Sequence, residues 1–293
     1  MPLNPRKEPR MSAYTPLVDD DIVLDDGRKL RYAEWGDPSG RPMFLFHGAP
    51  GSRVFVPNPA VTAEAGVRMV TVDRPGYGGS DPLPGRHILD WPRDVVALAE
   101  ALGLDRFDVA AHSAGGPYAL ACGHELMDRV GHVVLISCVA PQEALHPGGF
   151  EGDDEDLALT RRAREDPLGA AAAIAASVAW LAETPERFLD LPRPQPDVWV
   201  LQDQAIRDMF LETIRQALRQ GVDAYAWDVV LARSPGASTS PRWWPASPSS
   251  KAPWTKLSRR RRPTHWQGSY PTPNSTPIPT PGTGSSSPSG RRS

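Results

Sequence analysis

The stretch from Arg106 to His124 constrains the fold more than any other part of the chain. Phe107 to Ala111 is a short, mostly apolar run of the kind that forms a strand buried on both faces. Ala119, Leu120 and Ala121 open a run of good helix formers. Between them lies Ala111-His112-Ser113-Ala114-Gly115-Gly116, a small-x-Ser-x-small turn. A chain that passes straight from strand to helix strains the linking residue, and small residues two positions before and after it make room for the bend. Such a turn lifts the Ser113 hydroxyl off the sheet and sets it at a helix N-terminus, where the dipole favours negative charge. Ser113 is therefore the candidate nucleophile. The plainer alternative is an ordinary strand–turn–helix with a serine near the cap, and the first position here is alanine where glycine is commoner.

The flanking segments supply the rest of an α/β pattern. Asp21 to Leu24 and Lys29 to Trp35 enclose Asp25-Asp26-Gly27-Arg28 and predict a β-hairpin, with Asp-Gly suited to the turn. The run Asp19-Asp20-Asp21 reads as solvated edge charge. Pro42 to Phe46 predicts a buried strand ending in the turn His47-Gly48-Ala49-Pro50-Gly51-Ser52-Arg53, a position where open α/β sheets gather their chemistry. Pro50 has no N–H, which leaves Ala49 as the free donor of that turn. A helix over Asn58 to Ala65 and a strand over Val67 to Val72 follow, then the long turn Asp73-Arg74-Pro75-Gly76-Tyr77-Gly78-Gly79-Ser80. Leu89 to Leu104 has helical spacing, and Val130 to Val139 reads as another buried strand. Alternating strands and helices predict a parallel sheet covered on both faces.

Three motifs in this order, His-Gly-x-Pro-Gly-Ser, Asp-Arg-x-Gly-x-Gly-x-Ser and the serine turn, resemble the α/β-hydrolase superfamily. The likeness is to its esterase, prolyl-aminopeptidase-like and epoxide-hydrolase-like branch. It implies an α/β fold, a mostly parallel sheet of hydrolase type over residues 18–142, and a helical cap or lid over 143–233 that roofs the site. It also implies hydrolysis of an ester or amide-like bond of a small molecule through an acyl-enzyme on Ser113. The backbone N–H groups of Ala49 and Ala114 would form the oxyanion hole, with no cofactor and no metal. Serine rather than aspartate at the elbow argues against dehalogenase and epoxide-hydrolase chemistry, which passes through an ester on a carboxylate. Within the lid, helices are expected over Ala170 to Ala182, Asp203 to Arg219 and Val222 to Leu231. Trp180, Trp199, Tyr225 and Trp227 are candidates for an apolar pocket wall or for core.

Composition divides the chain near Ser234. All 35 acidic residues lie at or before Asp228, whereas residues 229–293 hold 10 of the 32 Lys and Arg and 12 of the 33 prolines. Residues 1–17 and 234–293 accordingly read as a disordered leader and tail. The run Arg259 to Arg262 lacks a surrounding fold that would make it a nucleic-acid surface. Cys122 and Cys138 sit in apolar patterns and read as free thiols of a reducing compartment. The N-terminus lacks the apolar stretch of a signal peptide, and no run has the length of a membrane span. The expectation is a cytoplasmic protein with a small-molecule substrate and neither a membrane nor a nucleic-acid partner.

The resemblance also defines what the sequence lacks. A serine nucleophile needs a base, and the base needs an acid to orient it. In the family these are an Asp after a seventh strand and a His after an eighth. No acid follows Asp228, and the one late histidine, His265, has no strand before it. Glu143, near the end of strand six, falls in the lid. His47 reads as support for the oxyanion turn and His112 as a flank of the nucleophile. His87, His124, His132 and His146 read as surface or packing residues. The expected result is a hydrolase that is inactive or nearly so, or alternatively a non-catalytic pocket that binds a small apolar ligand.

A shifted reading frame in the last third would account for the loss. When each codon takes the last base of one triplet and the first two of the next, Trp243-Trp244-Pro245 must give Val-Ala and Trp254-Thr255 must give Asp. Lys251-Ala252 permits Gly, and Pro281-Gly282-Thr283 permits Gly-His. Without strands seven and eight, strand six would stand as an exposed edge, a template for aggregation.

Overall fold

A computed structural model describes residues 14–140, 155–192 and 195–233. The expectations for the leader before Tyr14, for the tail 234–293 with His265, and for Glu143 and His146 lie outside these residues. Strands β1 (Val18–Val23) and β2 (Lys29–Gly36) form the expected hairpin, with Gly27 at φ +85° in its turn. The hairpin starts earlier than Asp21, because Leu17 already donates to the Glu34 carbonyl. Asp19 is exposed on the edge strand, as expected, but it is also paired. It accepts from Nε and Nη2 along one edge of the buried Arg53 guanidinium, at 2.6 and 2.9 Å, and from Arg31. A pair of cations overcomes the carboxylate's burial and holds the Asp19 pKa below its usual range.

Strands β3 (Arg41–Phe46), β4 (Val67–Val72), β5 (Phe107–His112) and β6 (Val130–Ile136) complete one sheet in the order β1-β2-β4-β3-β5-β6. The last four strands are parallel, and β2 meets β4 antiparallel. Successive strand residues face opposite sides. Phe44, Phe46, Val70, Val72, Val109 and Ala111 enter the core on one face, whereas Leu45, Met69 and Ala110 join Trp35 on the other.

Helix α1 (Pro59–Glu64) is capped by the Asn58 side chain and lies against β2 and β4. The predicted helix from Leu89 divides into a short 3-10 turn, Ile88–Asp90, and α2 (Trp91–Ala101). Trp91, Val95, Leu98 and Ala99, at helical spacing, bury one side of α2 beside α3 (Gly116–Glu125).

Beyond β6 the chain is helical. Its elements are α4 (Glu155–Glu165), α5 (Pro167–Val178), α6 (Trp180–Glu183), a 3-10 turn Pro185–Asp190, α7 (Gln195–Val200), α8 (Gln204–Ala217) and α9 (Asp223–Leu231). The expected helix over Ala170 to Ala182 starts earlier, since the Asp166 side chain accepts from Gly169 N and Pro167 occupies the first turn. Trp180 and Tyr225 pack beside Tyr77, Ile214 and Leu218, but Trp199 is 61% exposed.

Strand β6 is where an apolar sequence meets an open surface. It pairs with β5 alone among the described strands and carries a bulge opposite Asp108. Val134, Leu135 and Ile136 are 43–46% exposed: the run has the apolar pattern of a buried strand, yet among the described strands it stands at the exposed edge expected of strand six.

Candidate active site

The site begins where β5 ends. Ser113 has φ +51°, in the left-handed region that costs a non-glycine residue of order 1–3 kcal/mol. It is followed by a 3-10 turn, Ser113–Gly115, that runs into α3. The bend needs small neighbours for a visible reason. A Cβ on Gly115 would lie 2.5 Å from the Phe46 carbonyl oxygen and 2.8 Å from that of His47. The start of α3 is thus pressed onto the end of β3.

The turn after β3 closes on Ser113 from the other side. A Cβ on Gly48 would stand 3.2 Å from Ser113 Cβ and 3.2 Å from His112 Nδ1. Ala49, Ser113 and Ala114 are each half-buried, while Gly48, Pro50 and Gly115 beside them are buried. Sequence-distant residues are thereby gathered around one accessible hydroxyl. At the start of a helical turn the first N–H groups have no intrahelical partner, and Ala114 stands in that first turn, next to the serine.

Two buried acid networks hold this arrangement. Asp73 accepts from Arg53 N at 2.6 Å, Arg53 Nη1 at 3.0 Å and Gly79 N at 2.9 Å, tying the turn after β3 to the turn after β4. Burial pushes its pKa up despite the Arg53 charge. The second network centres on Arg74, which is fully buried and stacks 4.8 Å from the Tyr118 ring centroid. Its two terminal nitrogens donate to the His47 carbonyl and, at 3.0 Å, to the Gly48 carbonyl. Its Nε and Nη2 also donate to Asp228 Oδ2 at 3.1 and 2.7 Å. Asp228 lies on α9 and further accepts from Tyr77 at 2.9 Å, Tyr118 at 2.6 Å and Arg86 at 2.7 Å. Although burial opposes ionisation, Arg74 and Arg86 hold its pKa down at about 2.

The histidines near Ser113 have other tasks. His47 Nε2 lies 3.3 Å from the Arg74 backbone N–H and must accept from it, so Nδ1 carries the proton and donates to the Gly48 carbonyl at 2.7 Å. Burial, reinforced by Arg74, drives the His47 pKa well below its ordinary value and keeps the ring neutral. His112 stacks on Phe55 at 5.1 Å, with its pKa lowered by burial. His87 caps the Ile88–Asp90 turn, His124 lies beside Glu125, and His132 pairs with Asp108 at 2.9 Å. Among the described residues no side chain hydrogen-bonds the Ser113 hydroxyl. No cluster of His, Cys, Asp and Glu able to hold a metal occurs among those residues either.

Arg74 and Tyr77 fall within the turn motif quoted from the sequence, but no role was read there for them or for Arg86, Tyr118 and Asp228. One signal was available: Asp228 sits between Ala226, Val230 and Leu231, on the buried side of α9. An acid at such a position must have a buried partner.

Comparison with known proteins falls on the same elements. A family model described as the alpha/beta hydrolase fold matches residues 41–172, the span from β3 into α5. A non-heme chloroperoxidase from Streptomyces lividans is 34% identical over 123 residues, covering 41% of this chain and 45% of that protein. A proline iminopeptidase from Xylella fastidiosa is 31% identical over 124 residues, 41% of this chain and 40% of the relative. A bifunctional esterase/perhydrolase from Acinetobacter calcoaceticus is 32% identical over 123 residues, 41% and 45% of the two chains. Each match thus spans less than half of the curated relative. The crystal structure of a hydrolase from Pseudomonas aeruginosa superposes with a TM-score of 0.51 at 19% identity, over 72% of both chains, a likeness of fold. The sheet order, the strained serine turn and the matched segment coincide on one stretch of sequence, and together they give this chain the alpha/beta hydrolase fold.

Proposed function

We propose that the chain carries the nucleophile and oxyanion half of a serine hydrolase acting on an ester or amide-like bond of a small molecule. The observation that carries this reading is the half-buried Ser113 at φ +51°, set between the Ala49 turn and the first turn of the following helix. Ser113 Oγ would attack the substrate carbonyl, and the bond to the leaving group would break to give an acyl-enzyme. Ala49 and Ala114 N–H would stabilise the oxyanion, each such donor contributing about 3 kcal/mol. Helices α4 to α9 would serve as the cap. The similarity to a proline iminopeptidase and to an esterase/perhydrolase agrees with carbonyl chemistry of this kind.

The proton relay is the missing part. With no histidine bonded to Ser113 among the described residues, and no acid after Asp228 in the sequence, we expect little or no turnover. That same observation favours a second reading, a pocket that binds a small apolar ligand without turnover. Hydrolysis of p-nitrophenyl acetate by this chain, by Ser113→Ala and by a version with the last third restored in frame separates the two. Turnover only after restoration, lost by about 10⁶-fold in Ser113→Ala on that background, is the expected result. Ligand binding without turnover even after restoration would favour the binding protein. A gene whose codons for 243–283 lack the shifted Val-Ala, Gly, Asp and His triplets would remove the frame explanation.

A further inference from the structure

A pocket of about 470 Å³ opens between the turn after β4 and helices α5 and α9. Pro82, Leu83, Ala171, Ala224 and Trp227 give it a mostly apolar wall. Its size is that of a small-ligand site, which is commonly apolar with a few polar groups that fix orientation. No residue of the 47–53 or 112–117 turns borders it.

The side chains of that wall can accept hydrogen bonds but have none to give. Arg86 borders the pocket with a side chain only 3% exposed, and its Nη2 is held by Asp228. The other two Arg86 nitrogens are sealed from the surface. The one N–H of the Trp227 indole goes to the Arg86 carbonyl at 2.9 Å. Both hydrogens of the Gln220 amide are taken by the Gly78 and Ser80 carbonyls, at 2.9 and 2.8 Å. The group that Gln220 keeps for a ligand is therefore its amide oxygen. The Asp223 side chain is exposed at the pocket and makes no hydrogen bond or ion pair among the described residues. Asp223 and Trp227 stand four residues apart on α9, and so on one face of the helix.

We propose that this pocket binds a small primary ammonium ion with an apolar body. The ammonium donates to the Asp223 carboxylate and to the Gln220 amide oxygen, and the body lies against Trp227, Leu83 and Pro82. A carboxylate with an indole one helical turn away suits a cation whose apolar end is taken out of water. A ligand that brings only acceptors, such as a carboxylate, finds no side-chain donor and meets the Asp223 charge. Nothing in this binding involves Ser113.

Ligand-observed NMR titration of the full chain at neutral pH with phenethylamine, phenethyl alcohol and hydrocinnamate tests the proposal. The amine is expected to bind, the alcohol about fivefold more weakly, as befits an ion pair at an exposed carboxylate, and the carboxylate more weakly still. The preference for the amine over the alcohol should shrink at about 0.5 M salt, which screens an exposed pair. Asp223→Asn, at an exposed position, should bring the amine down to the level of the alcohol. Ala172→Trp, on the exposed side of α5 at the pocket, should weaken the amine by about tenfold or more with the melting temperature unchanged; should it fail to fold, Asp223→Asn carries the test. Ser113→Ala should bind the amine like the parent chain. Failure of the amine to bind, equal or tighter binding of the alcohol or the carboxylate, an unchanged preference in Asp223→Asn or at high salt, unaltered binding by Ala172→Trp, or loss of binding in Ser113→Ala would each overturn the proposal.

Discussion

The seam between the turn after β4 and α9 differs sharply from the outer side of β6. At the seam, Asp228 uses both carboxylate oxygens and reaches two arginines and two tyrosines, one of them 154 residues away. Arg74 passes that anchorage on to the His47 and Gly48 carbonyls, and so to the turn that carries Ala49. At β6, by contrast, three successive apolar residues are exposed and no described strand takes up the free edge. The helical segment has co-adapted with the sheet to the level of single hydrogen bonds. The far side of the sheet has no such counterpart among the described residues. The proposed chemistry at Ser113 would then rest on a serine turn and an Ala49 turn that are both anchored, without a histidine bonded to Ser113 among the described residues.

Removing the charge at the seam should have the largest effect on stability. Asp228→Asn keeps the shape but strands Arg74 and Arg86 without a counter-ion, and should cost about 3–5 kcal/mol in urea unfolding. A loss below about 1 kcal/mol would mean that the seam does not anchor α9.

A smaller effect follows from pH. Asp228 is depressed from its ordinary value of 3.8 to about 2, so its stabilisation is complete above about pH 4 and is lost as pH falls towards 2. The stability gap between the parent chain and Asp228→Asn should therefore narrow across that window. Asp73, raised by burial, has the opposite slope in both proteins and cancels in the difference. A gap that stays constant down to pH 2 would show that Asp228 does not act through its charge.

The smallest effect on folding should come from the edge. Leu135→Lys places a charge on an exposed strand and should change stability by no more than about 0.5 kcal/mol, while lowering the aggregated fraction seen by light scattering. A loss of several kcal/mol would reveal that Leu135 is covered in the folded protein. Unaltered aggregation would show that another surface drives association.

Much of this could be read locally. Strands β3, β4 and β5 fall within a residue of their expected ends, since a short apolar run bounded by turn residues is a property of a few neighbours. The strained conformation at Ser113 was likewise legible, because a strand running into a helix with small residues on either side leaves little else. The break between α5 and α6 was not, although Asp166-Pro167 does mark the true start of α5. The pairing of the exposed Asp19 was not legible for a different reason: its partner Arg53 is 34 residues away, and no local pattern distinguishes a paired acid from an unpaired one.

By itself the sequence determined the alternation of strand and helix, the hairpin, the serine turn and the absence of a late acid, all of which depend on residue type and near-neighbour spacing. Only the tertiary structure decided that Asp228 binds Arg74 and Arg86, that Asp19 and Asp73 share Arg53, and that Arg74 reaches the His47 and Gly48 carbonyls. Those outcomes rest on which distant surfaces meet, and burial in a shared low-dielectric interior, not chain proximity, gives each contact its energy.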